Sequence, residues 1–151
     1  MAKQDFSPLL SAGIHKLTMP EFEDIVTTAF PTDVRRITLF FSFLKWFAGL
    51  QTLGITGTLW VDGSFVTKKP SPDDIDCYLF NAATTRNLNA TEQIQLQKLL
   101  DHDEARAIFN LDLYFENPTP DMLLHRQAYW SGFFGFQHDR SKAKGFVELT
   151  V

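Results

Sequence analysis

The chain has 151 residues, enough for one domain with a sizeable core. Hydrophobic residues at 44% and charged residues at 21% exclude a disordered chain. A formal net charge of -4 argues against a broad nucleic-acid surface, which needs a cationic face. The 15 phenylalanines predict an aromatic-rich core. Cys77 is the only cysteine, so no intrachain disulfide can form, and a reducing, cytoplasmic setting is expected. No signal-peptide core follows Met1-Ala2-Lys3-Gln4-Asp5. The longest apolar stretch, Ile37 to Leu50, is interrupted by Lys45 and too short to span a bilayer, so no membrane contact is expected.

In chain order, residues 1–16 have no hydrophobic period and read as an extended N-terminal arm. His15 is expected to be a hydrogen-bonded residue fixing that arm. Thr18, Pro20 and Glu21 open a helix, with Thr18 and Glu21 as a capping box and Phe22, Ile25, Val26 and Ala29 as its inward stripe. Thr32 is the expected cap of a longer helix from Asp33 to about Leu50. Its predicted inward stripe is Val34, Ile37, Phe41, Leu44 and Ala48. Phe40, Phe43, Trp46 and Phe47 then cover other faces, as core or as a self-association surface. Arg35 and Arg36 in its first turns are expected to be a solvated face, with phosphate binding as the alternative.

Thr56 to Asp62 reads as a strand, and Asp74 to Phe80 as another. Between them Gly63 marks a sharp turn, and Lys68-Lys69-Pro70-Ser71-Pro72-Asp73 is a loop by composition. Asn89 and Glu92 form a capping box for a helix through Leu100, restarting through Ala105 to Phe109. Asn110 to Phe115 is a third strand. A short helix is expected over Asp121 to Trp130. Residues 133–151 are expected to form a C-terminal hairpin, with strands at Phe133 to Phe136 and Gly145 to Val151.

Strand alternation places Asp74 and Asp76 on one face, opposite Ile75, Cys77 and Leu79, and Asp112 on one face with Tyr114 and Glu116. Adjacent carboxylates repel, and a hard divalent cation with oxygen ligands resolves the repulsion. Lys68, Lys69 and Lys144 are candidate point-charge contacts for phosphate, and Tyr129 and Trp130 are candidate stacking residues.

Gly63-Ser64, a nine-residue spacer, then Asp74-Ile75-Asp76 and the later Leu111-Asp112-Leu113 resemble the signature of the polymerase-β-type nucleotidyltransferases. Gly13-Ile14-His15, Asp62-Gly63-Ser64-Phe65, Thr67, Pro72 and Lys144-Gly145 are similar to a narrower family of small bacterial and phage proteins with a predicted nucleotidyltransferase fold. The resemblance implies an α/β (α+β) fold with helices on a small mixed sheet. It implies transfer of a nucleoside monophosphate from a nucleoside triphosphate to an RNA, protein or small-molecule acceptor. Asp74, Asp76 and Asp112 would hold Mg²⁺ or Mn²⁺. Gly63, Ser64, Lys68, Lys69 and Lys144 would contact the nucleotide. Two departures weigh for a catalytically silent nucleotide- or partner-binding module, such as one component of a prophage defence or toxin–antitoxin system. Pro70 and Pro72 leave room for only a turn of helix after Gly63-Ser64, and little chain follows Asp112 for an acceptor domain.

Overall fold

A computed structural model describes residues 3–151; Met1 and Ala2, the first residues of the expected arm, lie outside the described residues. Strands β1 (Gly13–Lys16), β2 (Ile55–Asp62), β3 (Ile75–Thr84), β4 (Leu111–Phe115) and β5 (Gly145–Thr150) form one mixed sheet in the order β1-β5-β2-β3-β4. β3 and β4 run parallel, as do β1 and β5, while β2 is antiparallel to both of its neighbours. The parallel step from β3 to β4 needs a crossover, which α3 (Ala90–Leu100) and α4 (His102–Phe109) supply. The fold is α+β, as expected.

The two faces of the sheet are covered differently. Leu59, Val61, Ile75, Cys77, Leu79, Leu111, Leu113, Val147 and Leu149 belong to the larger core, with α1 (Met19–Glu23), α2 (Val34–Thr52) and residues of α3 and α4. The opposite face carries Trp60, Tyr78, Phe80 and Phe146, which pack with Trp130 and Phe134 of α5 (Pro120–Phe134). Glu116 pins that helix by accepting from Tyr78 Oη (3.0 Å), Arg126 Nε (2.8 Å) and Trp130 Nε1 (3.2 Å).

Thr18 caps α1 as expected, accepting from the Glu21 backbone N–H, and the chain continues as a wider π-turn over Asp24–Thr28. Widening the turn rotates the stripe, so Thr27 is buried and Ala29 exposed. α2 departs further from expectation. Its cap is Asp33, not Thr32: Oδ1 accepts from Arg36 N at 3.1 Å, and Oδ2 accepts from Ser71 N at 2.9 Å. The buried face is Leu39, Phe40, Phe43, Trp46, Phe47 and Leu50, while Val34 and Phe41 face solvent. Two apolar stripes compete on this helix. The aromatic one removes more area from water, roughly 150–250 Å² per ring, and faces inward. Phe40, Phe43, Trp46 and Phe47 are therefore core, and Trp46 Nε1 donates to Leu99 O at 2.9 Å.

Both chain ends differ from expectation. Gly13–Lys16 is a sheet edge paired with β5, not unpaired arm. A short edge strand with one exposed side carries no hydrophobic period, so pattern alone does not reveal it. His15 does fix this segment, its Nε2 lying 2.7 Å from Ser11 O. Of the expected hairpin over 133–151, the second strand forms as β5 and the turn closes through an antiparallel Phe136–Ala143 bridge, but the first strand does not form. Phe133 and Phe134 end α5, because Trp130 and Phe134, one turn apart, both reach the aromatic cluster. β5 then enters the sheet between β1 and β2. β3 also outruns its expected end at Phe80, reaching Thr84 with Asn81 in the left-handed region.

Candidate active site

β2 and β3 pair antiparallel with Asp62 opposite Asp76, and β3 and β4 pair parallel with Asp76 opposite Asp112. Cross-strand partners share a face, so three carboxylates form a row across three strands. They lie on the α5 face of the sheet, beyond the aromatic cluster that α5 covers. Asp74, two residues before Asp76, extends the row.

Gly63 makes the turn that brings the row together. Its φ is +79°, and a Cβ there would overlap Asp76 Oδ2. Only glycine lets the Asp76 carboxylate lie against this backbone. One short helical turn, Ser64–Val66, follows, as the proline-rich spacer implied.

Crowding shows in the protonation of the row. Burial first, then the charges of Asp74, Asp112 and Asp62, push Asp76 up to about 7. Burial pushes Asp62 up to about 6, against the pull of Lys144. Asp74 is also raised, chiefly by burial, with Arg106 opposing. Asp62 Oδ2 meets Lys144 Nζ at 3.0 Å, whereas its buried Oδ1 has no hydrogen-bond partner among the described residues.

A neighbour that sequence reading did not single out stands over the other end of the row. Arg106 of α4 places Nη1 at 3.5 Å from Asp74 Oδ2 and Nη2 at 3.0 Å from Asp112 Oδ1. One turn earlier, His102 sets Nε2 at 3.5 Å from the same Asp112 oxygen. Its Nδ1 lies 2.8 Å from Leu113 O, an acceptor, so Nδ1 carries the proton. The only sequence signal for this pair was its i, i+4 spacing just before the third strand.

Asp62, Gly63, Ser64, Asp74 and Asp76 open onto a cavity of about 350 Å³. Lys69 and Lys144 line it as expected, Lys69 paired with Asp73 at 3.0 Å. Lys3 and Arg140 line it too. Lys68 does not: it borders a separate shallow pocket beside Phe30 and Pro31, because Lys68 N is tied to Ser7 O and the chain turns there. Asp112 ends the row but stands outside the cavity lining, behind Asp76 and under Arg106. Tyr129 also lies outside it, and Trp130 is core.

Arg35 and Arg36 are not a solvated face, Arg35 being half-buried and Arg36 buried, and neither lines the cavity. Arg35 donates to Pro72 O (3.3 Å) and Asp73 O (2.6 Å). Arg36 is fully buried and donates to the carbonyls of Val26 (3.3 Å), Phe65 (2.7 Å), Thr67 and Lys69 (2.9 Å). Both arginines brace the loop that follows Gly63.

Hard oxygen donors, among them the buried Asp62 Oδ1 that has no hydrogen-bond partner, suit a divalent cation such as Mg²⁺ or Mn²⁺. Spacing is less favourable: among the described residues no three His, Cys, Asp or Glu side chains form a group that could hold one ion. No helix of the described residues is long and apolar enough to cross a membrane. No curated protein and no solved structure matches the chain. A sequence profile matches residues 3–150, nearly the whole length, and by it the chain belongs to DUF6932, a family of unknown function.

Proposed function

We propose that the protein is a metal-dependent nucleotidyltransferase, moving a nucleoside monophosphate from a nucleoside triphosphate to an acceptor hydroxyl. The observation that carries this reading is the carboxylate row set against the Gly63 turn, opening on a cavity that also holds lysines. Backbone N–H groups at Gly63 and Ser64, with Lys69 and Lys144, would hold the β- and γ-phosphates. Asp74 and Asp76, with Asp112 beside them, would hold Mg²⁺ or Mn²⁺, whose charge would neutralise the phosphates and the row together. The acceptor oxygen would form a bond to the α-phosphorus as the bond to the pyrophosphate oxygen breaks. The acceptor proton would pass to a carboxylate of the row. Catalysis of this kind rests on positioning and charge neutralisation. A cytoplasmic location belongs to the same proposal, since Cys77 is a free, buried thiol.

One observation favours a second reading, a silent nucleotide- or partner-binding module. Arg106 already pairs with Asp74 and Asp112, and Asp112 does not reach the cavity. Incubation with each α-³²P-labelled nucleoside triphosphate, Mg²⁺ or Mn²⁺ and cell extract separates the two. Label transferred to RNA, protein or a small molecule, and lost in Asp76→Asn, supports the transferase. Saturable nucleotide binding without transfer supports the module. No binding and no transfer sinks both nucleotide readings.

A further inference from the structure

Phe6, Phe133 and Phe136 line the same cavity as the carboxylates. Phe133 remains 45% exposed and Phe136 39%. Scattered exposed phenylalanines need no explanation, but these converge on one concave site. The segment that carries them is tied down. Phe136 bridges Ala143, and Lys144 N donates to Gly135 O at 2.8 Å, so the backbone beside Phe136 is fastened to that of the buried cavity lysine. Arg140 lies 4.8 Å from the Phe133 ring centroid and donates from Nη1 to Phe133 O at 2.9 Å. On the other side of the rim, Asp5 Oδ1 stands 2.7 Å from His138 Nδ1, joining the arm to this segment.

The cavity therefore has two unlike walls. The Gly63 turn and the row suit phosphate and a cation. The 133–140 wall offers aromatic faces with a guanidinium over one of them. A polyanion alone would use the lysines and leave these rings wet. A flat heteroaromatic ring joined to an anionic chain covers both walls.

We propose that the 133–140 segment is the base-binding wall of the nucleotide site, with Phe136 its principal stacking residue. This rests on the nucleotide reading above and names the part of the ligand that supplies specificity. Phe136 holds its place by backbone pairing, so its ring can be changed without breaking that pairing. The test is calorimetry of the full chain with Mg²⁺ and two probes, α,β-methylene-ATP and inorganic tripolyphosphate. The nucleotide analogue should bind roughly five- to hundredfold tighter, the scale of one base stacked on one aromatic ring. Phe136→Ala and Phe136→Leu should erase most of that margin while leaving tripolyphosphate affinity unchanged, and Phe136→Trp should keep it. Equal affinity of the native protein for both probes overturns the base wall and leaves the phosphate site standing. So does a margin that survives in Phe136→Leu, which keeps apolar volume but no ring. Failure of both probes to bind overturns the nucleotide reading itself, and the base wall with it.

Discussion

Arg36 and Asp76 both carry their charged ends into the interior, and their surroundings are opposites. Arg36 delivers its donors to four backbone carbonyls, and Asp33 Oδ2 stands 3.5 Å from its Nε. It needs no ligand; it is the internal brace for residues 65–69. Asp76 meets like charge instead, with Asp74, Asp112 and Asp62 around it and its carboxyl group pushed up to about 7. A buried charge whose Nη groups are taken up by backbone carbonyls, with only Nε lacking a hydrogen bond and facing a carboxylate, is structural. A buried row of one sign, with cations only at its two ends, is the arrangement of a candidate functional site.

The largest expected effect breaks the matched side of this comparison. Arg36→Met leaves carbonyls at Val26, Phe65, Thr67 and Lys69 without their donor. Loss of a partner from such a buried network costs roughly 3–5 kcal/mol. Urea unfolding should show it, and a loss below about 1 kcal/mol would mean that water reaches the carbonyls readily and that Arg36 is not a brace.

Asp76 should behave in the reverse way. Its folded pKa, about 7, lies above the ordinary carboxylate value of 3.8. Between those limits the folded chain holds more protons than the unfolded chain, so metal-free stability falls as pH rises from about 4 to 7. Asp76→Asn should flatten this slope and raise stability at pH 8 by on the order of 1–3 kcal/mol. Melting temperatures from pH 5 to 8 in chelator decide it. A variant that is less stable than the parent at pH 8 would show that Asp76 is stabilised, not strained, by its neighbours.

Arg106→Gln sharpens the comparison with the smallest effect. Arg106 is half exposed, so its pairs with Asp74 and Asp112 are screened by water. Removing it leaves the row with one less cation. Mn²⁺ should then bind roughly two- to fivefold tighter, and the metal-free protein should lose no more than about 1 kcal/mol. Calorimetric Mn²⁺ titration of both proteins tests this. Weaker Mn²⁺ binding in Arg106→Gln would mean that the guanidinium orients the carboxylates for the ion rather than competing with it.

Much of this site was legible before the fold was known. The alternation Asp74-Ile75-Asp76 and Leu111-Asp112-Leu113 placed three carboxylates on common faces, because strand side chains alternate whatever the partner strand. Gly63 was legible as a turn, and the overlap its Cβ would make with Asp76 gives the reason. Asp62 and Arg106 were not singled out. Asp62 matters only because it pairs opposite Asp76, and Arg106 only because α4 lies beside β4; neither fact leaves a local pattern. Lys68 and Lys69 are neighbours of one composition, and the tether from Lys68 N to Ser7 O sends only Lys69 to the cavity.

Sequence by itself determined what short-range geometry controls: the side-chain cap at Thr18, the capping box at Asn89, the strands β2, β3 and β4, and the alternation that aims the aspartates. Tertiary structure decided what depends on long-range competition. It chose the aromatic stripe of α2 over the aliphatic one, since larger rings remove more surface from water. It drew Phe134 into α5 and inserted β5 between β1 and β2, pairings set by free sheet edges far away in sequence. It buried Arg36, because three carbonyls of the loop after Gly63 join that of Val26 there only once the loop has folded against α2.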